Sequence, residues 1–257
     1  MAVMRCDFFS DVLGLSTSMT VILPEASSRR IGMSGAVQED TPLLYLLHGL
    51  SDDDTTWTRR TSLDRYAAPL GLAVIMPQVH RSFYADEVHG LPFWTFLTQE
   101  LPEMAARFFR LSSRREDTFV AGLSMGGYGA MKWALREPWR FRAAASLSGA
   151  VALRHPSDQA DPEFAALTRR IFGDVPTAET PDDVLHLMRT ADPAGLPSLY
   201  AACGTEDFLY PSNVALVEEA RLNGVPITVD LGPGDHEWDY WDAQIERFLE
   251  WLPLRSG

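Results

Sequence analysis

One pentapeptide of this sequence combines a serine with the small neighbours that a reactive serine needs. Gly122-Leu123-Ser124-Met125-Gly126 lies between an apolar run and a stretch with helical periodicity. Where a strand turns sharply into a helix, glycines two positions before and after a serine relieve backbone crowding and leave its hydroxyl accessible. The pattern predicts a nucleophile elbow in which Ser124 attacks an acyl carbon.

Two further residue types that this chemistry requires follow later in the chain, in the order acid and then base. Asp207 comes after the apolar run 198–203, and His236 comes after the run 227–231 within a glycine-flanked segment. We expect His236 to accept the Ser124 proton and Asp207 to orient and stabilise the imidazole.

Other carboxylates and histidines compete for these roles. Glu206 has the chemistry of Asp207, but neighbouring side chains at a strand end point in different directions, so only one of them should face His236. Asp235 is expected to be exposed. Four histidines lack the glycine-flanked position after the last strand, namely His80, His89, His155 and His186.

The segment His48-Gly49-Leu50 follows the apolar run 43–47 and supplies candidates for binding an oxyanion. Backbone N–H groups stabilise the negative oxygen that forms when a serine attacks a carbonyl. We expect one donor to be the amide of Met125 and the other the amide of Leu50. His48 is expected to bond nearby backbone rather than to act as a second base.

These candidates require a scaffold that brings distant strand ends together. Short apolar runs indicate buried strands at 43–47, 72–76, 118–122, 141–147, 198–203 and 227–231. Helical periodicity occurs at 62–70, 93–110, 127–136, 212–223 and 239–252. This alternation predicts an α/β fold with a doubly wound, mostly parallel sheet, whose carboxyl strand ends meet at one crevice. Residues 5–10 and 16–23 should form an antiparallel pair at one edge, because only a short segment with Gly14 joins them.

The length of 257 residues and the hydrophobic fraction of 46% suit a single large domain. Residues 152–197 carry no strand signal but contain helical pieces near 164–172 and 182–188. We interpret this stretch as a helical, cap-like insertion that contacts substrate, with a cover for the core as the equal alternative. The polar segment 27–40 is typical of an exposed hairpin or loop.

Composition excludes several classes of partner. A net charge of −13 argues against nucleic acid and anionic membrane surfaces. No apolar run is long enough to span a membrane, and the first residues do not have the pattern of an export signal, so we expect a cytoplasmic location. Cys6 and Cys203 are interpreted as reduced, structural thiols. Lys132 is the only lysine, which we attribute to compositional bias.

Taken in order, these motifs resemble the esterase D-like branch of the α/β-hydrolases, and within it the tributyrin esterase-like carboxylesterases. The matching segments span almost the whole chain: 46–50, Trp57, 76–77, 81–84, 93–95, 100–102, 122–130, 204–209 and 234–238. The resemblance implies a triad of Ser124, Asp207 and His236 and oxyanion amides on Leu50 and Met125. It also implies hydrolysis of short-chain acyl esters without a metal or organic cofactor.

The same branch includes S-formylglutathione hydrolases, mycolyltransferases and feruloyl esterases, so the resemblance indicates mechanism better than substrate. Formylglutathione hydrolases typically have serine at the position of His48 and a cysteine-containing sequence at 51–54, and mycolyltransferases are secreted. Both differences favour a carboxylesterase, with thioester hydrolysis or acyl transfer as the alternative.

A non-catalytic binding protein of this fold is a further alternative, although such proteins usually lack a triad member. Six aromatic residues near the strand ends either line a pocket or support the loops: Trp57, Phe83, Tyr84, Trp94, Phe208 and Trp238. The sequence leaves open the physiological ester and whether the protein forms a homo-oligomer.

Overall fold

A computed structural model describes residues 1–25, 31, 35–36, 40–153 and 160–254. The hairpin or loop expected over 27–40 lies largely outside the described residues. Within the described ranges, eight strands form one sheet in the order β1-β2-β4-β3-β5-β6-β7-β8. The strands are β1 (Ala2–Ser10), β2 (Leu15–Leu23), β3 (Leu43–Leu47), β4 (Ala73–Pro77), β5 (Thr118–Leu123), β6 (Ala143–Leu147), β7 (Ser198–Gly204) and β8 (Ile227–Gly232).

Apart from the first, which was not predicted, the helices that accompany these strands begin and end close to the predicted stretches. They are α1 (Thr56–Arg60), α2 (Leu63–Ala67), α3 (Phe93–Thr95), α4 (Leu101–Phe108), α5 (Met125–Arg136), α6 (Pro162–Phe172), α7 (Val184–Thr190), α8 (Tyr210–Leu222) and α9 (Trp238–Trp251). A π-helical segment, Phe96–Glu100, joins α3 to α4, so the helix predicted over 93–110 contains a local change of winding and ends at Phe108.

Strand directions confirm the predicted α/β fold. β1 pairs with β2 and β2 pairs with β4 in antiparallel fashion, whereas the pairs from β4 through β8 are parallel. β3, β4 and β6 are buried along their whole length, because apolar clusters cover both faces of the sheet. β8 differs from the expectation of burial: it lies at the sheet edge with Thr228 and Val229 exposed.

The strand order reverses between β3 and β5, which places a crevice at their carboxyl ends. The loops after β3, β5, β7 and β8 carry all the sequence-predicted site residues and open at this one edge of the sheet. The topology therefore brings together residues more than a hundred positions apart.

Helices α6 and α7 and a 3-10 turn at Pro193–Gly195 form the region after β6. Its described residues, 152–153 and 160–197, contain no strand, as the sequence indicated. In the part of the chain that the structure describes, no helix has both the length and the apolar character to cross a membrane.

Candidate active site

Ser124 sits in a strained turn between β5 and α5. Its φ of 52° and ψ of −116° lie in a region that L-residues rarely adopt. A Cβ on Gly126 would lie 2.3 Å from the Leu47 carbonyl oxygen, and one on Gly122 would lie 2.4 Å from the Gly126 carbonyl carbon. The Ser124 amide donates to the Leu147 carbonyl at 2.9 Å, which ties the turn to β6. The two glycines thus permit the close approach that an elbow requires.

The imidazole of His236 lies between the serine and an aspartate. Its Nε2 is 3.1 Å from Ser124 Oγ, and its Nδ1 is 2.9 Å from Asp207 Oδ2. With the proton on Nδ1, that nitrogen donates to the carboxylate and Nε2 is free to accept from the hydroxyl. The Asp207 side chain is fully buried, whereas that of His236 is partly exposed. The three residues singled out in the sequence therefore meet at hydrogen-bonding distances.

Hydrogen bonds hold Asp207 in its ionised form. Burial raises the pKa of this carboxyl, but hydrogen bonds from His236, from the Leu209 amide and from Ser148 outweigh it and lower the pKa below its usual range. The Leu209 amide donates to Oδ1 at 2.8 Å, and Trp241 Nε1 donates to Ser148 Oγ at 3.2 Å. The contributions of Ser148 and Trp241 were not predicted, since neither lies in a motif that marks them.

Glu206 points away from the imidazole and joins two loops. Its carboxylate accepts from the Gly234 amide at 2.7 Å and from the Thr205 hydroxyl at 2.9 Å. Its own amide donates to the Gly234 carbonyl at 3.0 Å. Glu206 thereby fastens the loop after β7 to the loop that carries His236, and Asp207 alone of the two faces the histidine.

Two aromatic rings flank His236. The Phe208 ring centroid lies 4.6 Å from that of the imidazole, and the Trp241 ring meets it edge-on at 4.8 Å. Trp241 is buried in the core, whereas Phe208 is 72% exposed. The imidazole therefore packs against the core on one side and against an exposed ring on the other.

His48 occupies a different environment. Its Nδ1 lies 2.7 Å from the Gly49 carbonyl and its Nε2 lies 3.2 Å from the Val79 amide, so Nδ1 donates and Nε2 accepts. Burial lowers the pKa of His48 and keeps the ring neutral. Both ring nitrogens are occupied by backbone, as expected from the sequence, and none is left to face a substrate.

The loop that carries Leu50 is held by further contacts. The Tyr84 hydroxyl donates to the His48 carbonyl at 2.9 Å. The carboxylate of Asp52 accepts from the Gly49 amide at 3.2 Å. Both bonds restrain the backbone immediately before Leu50, whose amide is a candidate oxyanion donor.

A cavity of about 680 Å³ opens beside Ser124. The residues lining it are Leu50, Phe83, Ser124, Met125, Ala150, Ala152, Leu153, Ala160, Asp161, Phe164, Phe208, Leu209, Pro211, Ser212 and Ala215. The side chains are mostly apolar and small. Asp161, at the start of α6, carries the one formal charge among these described lining residues.

The six aromatic residues near the strand ends divide into two groups. Phe83 and Phe208 line the cavity. The other four are not among the residues lining it; Trp57, for example, is buried and donates from Nε1 to the Leu47 carbonyl at 3.1 Å. Packing of the loops is thus the commoner role of these rings.

Cys203 does not offer an alternative nucleophile. It is buried and free, and burial raises the pKa of its thiol to about 12. A thiol with so high a pKa is not ionised near neutral pH. Among the described residues, no group of three or more His, Cys, Asp or Glu side chains could hold a metal ion.

Comparisons with known proteins agree with this architecture. The family model described as Esterase matches residues 10–252. An acetyl esterase of Caldicellulosiruptor saccharolyticus is 29% identical over 98% of this chain and 98% of its own length. An S-formylglutathione hydrolase of Paracoccus denitrificans is 30% identical over 84% of this chain and 83% of that protein.

Among solved structures, the fluorophosphonate-binding serine hydrolase FphF of Staphylococcus aureus superposes with a TM-score of 0.88, at 35% identity and 99% coverage of both chains. These relatives are serine hydrolases and esterases of the α/β-hydrolase fold, which establishes this protein as a serine carboxylic ester hydrolase rather than a non-catalytic binding protein. The chain belongs to the Esterase family and is an esterase D-like carboxylesterase.

Proposed function

We propose that the protein hydrolyses short-chain acyl esters through an acyl-enzyme on Ser124, with His236 as general base and acid and Asp207 as its orienting carboxylate. The observation that carries the proposal is the continuous contact from Ser124 Oγ to His236 Nε2, at 3.1 Å, and from His236 Nδ1 to Asp207 Oδ2, at 2.9 Å. This geometry lets one proton move from the hydroxyl to the ring as the oxygen attacks.

In the acylation step, Ser124 Oγ forms a bond to the ester carbonyl carbon while its proton passes to Nε2 of His236. The carbonyl π pair moves to oxygen and gives a tetrahedral oxyanion. Collapse of this intermediate breaks the bond to the alcohol oxygen, which takes the proton from Nε2 and leaves. Asp207 stabilises the imidazolium between these two transfers.

In the deacylation step, water takes the place of the alcohol. His236 removes a proton from the water as its oxygen attacks the acyl carbon, and returns that proton to Ser124 Oγ when the acyl bond breaks. The products are the carboxylic acid and the free enzyme. No redox partner is needed in either half.

The amides of Leu50 and Met125 are proposed to bind the oxyanion. Both residues line the cavity beside Ser124. Met125 is the first residue of α5, where backbone N–H groups lack partners within the helix and the helix dipole is positive. Donors of this kind contribute most when they are held in place before the charge develops.

The wall of the cavity supports a preference for short acyl chains. Small residues such as Ala150, Ala152 and Ala215 line the cavity together with Ser124, and Phe83 and Phe164 add apolar rings to its wall. Phe164 belongs to α6, so the proposed cap-like insertion contributes directly to the substrate site. The acetyl esterase activity of the relative from Caldicellulosiruptor saccharolyticus is consistent with this preference.

The test is hydrolysis of p-nitrophenyl acetate and butyrate by Ser124→Ala. We expect loss of turnover with unchanged circular dichroism, because the hydroxyl is the attacking group. The matched control is Ser212→Ala, which removes another hydroxyl that lines the same cavity. That hydroxyl donates to the Leu209 carbonyl at 2.8 Å. Retained activity in Ser124→Ala would overturn the proposal.

Thioester hydrolysis is a second candidate, favoured by the 30% identity to an S-formylglutathione hydrolase over 84% of this chain. The same residues would act, with a thiol instead of an alcohol as the leaving group. Comparing kcat/KM for S-formylglutathione with that for p-nitrophenyl acetate distinguishes the two. A higher value for the oxygen ester supports the primary proposal.

A further inference from the structure

The only lysine of the chain is fully buried. Lys132 lies in α5, two turns after Ser124, with none of its surface exposed. An ammonium group is rarely found inside a protein unless partners replace its water. Compositional bias accounts for the chain having only one lysine, but it does not explain why that lysine is buried.

Three kinds of partner surround the ammonium group. Nζ donates to the Tyr84 carbonyl at 2.7 Å and to Asp182 Oδ1 at 2.8 Å. It also lies 4.4 Å from the ring centroid of Trp94 and 5.3 Å from that of Tyr128. Each of these contacts stabilises a cation in a buried site.

The first contact leads to the loop that carries the candidate oxyanion donor. Tyr84 has a φ of 50°, an uncommon conformation for a non-glycine residue, and its carbonyl is the acceptor for Lys132. Its hydroxyl donates to the His48 carbonyl at 2.9 Å, two residues before Leu50. A Cβ on Gly129 would lie 2.5 Å from the Tyr84 ring, so α5 leaves room for that ring to pack closely.

The second contact, with Asp182, connects Lys132 to the cap-like insertion at 152–197. The carboxylate of Asp182 accepts a hydrogen bond from the Lys132 ammonium. The backbone carbonyl of the same residue accepts one from the Tyr128 hydroxyl at 2.8 Å. The next residue, Asp183, caps the N-terminus of α7 by accepting from the His186 amide. Two side chains of α5 therefore hold the chain where α7 begins.

We propose that Lys132 is a positioning residue, which holds the Leu50 loop through Tyr84 and the insertion through Asp182 in the arrangement that hydrolysis requires. The inference rests on the proposed function of the Ser124 site. It differs from a purely structural role because it predicts a change in turnover that stability does not explain.

The charge of Lys132 offers a readout of this role. Burial lowers the pKa of Lys132 to about 8, with Arg136 lowering it further and the carboxylates of Asp182 and Asp86 opposing it. The ring of Tyr128 also faces the ammonium group, and burial raises the pKa of its phenol and of the Tyr84 phenol, so both stay neutral. Above this pH the ion pair with Asp182 is lost, and we expect kcat to fall.

Folding stability should change in the opposite direction. Because the native state releases this proton before the unfolded chain does, the contribution of Lys132 to the free energy of unfolding rises with pH between about 8 and about 10.4. A fall in kcat over this range therefore cannot be attributed to unfolding caused by this group.

The experiment compares kcat for p-nitrophenyl acetate in Lys132→Met, Tyr84→Phe and the double variant. Removing an oxyanion donor costs about 100-fold or more, and a loosened donor should cost less, so we expect about a 10-fold loss in each single variant. The double variant should lose no more than the larger single loss, since Lys132 reaches the Leu50 loop through the same Tyr84 hydroxyl that Tyr84→Phe removes. The matched control is Met131→Ala, a buried neighbour on α5, which should lower stability without lowering kcat.

Selective labelling with lysine enriched in ¹³C at Cε gives one lysine signal, because the chain has one lysine. Its titration midpoint should coincide with the alkaline limb of kcat, and that limb should be absent in Lys132→Met. Unchanged kcat in folded Tyr84→Phe, or an alkaline limb that does not follow the labelled signal, would overturn the inference even if Lys132→Met fails to fold. Failure of the proposed function is recognised separately, by an inactive wild type or an active Ser124→Ala.

Discussion

Two histidines follow two strands of the same sheet, yet their surroundings differ completely. His236, after β8, is partly exposed and has its ring nitrogens against a hydroxyl and a carboxylate. His48, after β3, is buried and has both ring nitrogens bonded to backbone groups. A proton can be exchanged with a side chain at the first ring and not at the second. The partners of the ring, more than its place at a strand end, therefore distinguish a base from a structural residue.

Replacing His236 with alanine should produce the largest loss of activity. Without a base the serine hydroxyl keeps its proton, and kcat/KM should fall about 10⁴-fold or more. Steady-state hydrolysis of p-nitrophenyl butyrate measures this loss. Activity within tenfold of the wild type would contradict the role given to His236.

Asp207 and Glu206 are adjacent carboxylates, and only the first faces His236, so substitutions of the two should differ in their effect on activity. Asp207→Asn should lower kcat by about 10³-fold to 10⁴-fold, since the amide favours the wrong tautomer of the imidazole. Glu206→Gln keeps an acceptor for the Gly234 amide and should cost only about threefold, because Glu206 does not face the ring. Equal losses in the two variants, measured under one set of conditions, would show that the triad is assigned wrongly.

His48→Ala should mainly affect stability. It leaves the buried Val79 amide without its partner, at a cost of about 1 to 3 kcal/mol in the free energy of unfolding, and the Gly49 carbonyl keeps only the Asp52 amide, at 3.3 Å. Activity should fall about 10-fold to 100-fold through the Leu50 loop. Urea denaturation and kcat are both needed, because a loss of activity as large as that of His236→Ala with unchanged stability would make His48 a base.

Acidification should destabilise the native state through the same residue. Burial lowers the pKa of His48, so below about pH 6.5 the unfolded chain binds a proton that the native state does not. The stability contributed by the neutral ring is complete above this pH and declines as the pH falls. We expect the unfolding free energy of His48→Ala to depend less steeply on pH between 5 and 7 than that of the wild type; identical slopes would contradict this account.

Removing the exposed ring beside His236 should have the smallest effect. Phe208→Ala takes away an apolar ring from the cavity wall and one side of the imidazole packing. We expect KM to rise about threefold to tenfold with little change in kcat. A large fall in kcat with unchanged KM would instead assign Phe208 to the orientation of the base.

Much of this arrangement follows from local sequence pattern. Apolar runs located the strands, and glycines marked the elbow and the loop of His236, because backbone geometry depends on residues close in the chain. The edge exposure of β8 and the π-helical segment at Phe96–Glu100 were not predicted. Both depend on what packs beside them, which no local pattern records.

Side-chain networks were the least predictable part of the site. Ser148 and Trp241 support Asp207 from separate elements, and Lys132 joins Tyr84 to Asp182 across about fifty residues in each direction. Tyr84 stood in a motif shared with the esterases, but its partner could be identified only in three dimensions. Such contacts arise from packing between distant segments, so sequence spacing says little about them.

The most direct test of the central claim is covalent labelling with diethyl p-nitrophenyl phosphate, followed by peptide mass analysis. A serine activated by His236 attacks phosphorus, releases p-nitrophenol and retains the diethyl phosphoryl group. We expect one label for each chain, located on Ser124, and labelling that is much slower in His236→Ala. Absence of labelling, or a label on Ser212, Ser148 or Cys203 with Ser124 unmodified, would contradict the account.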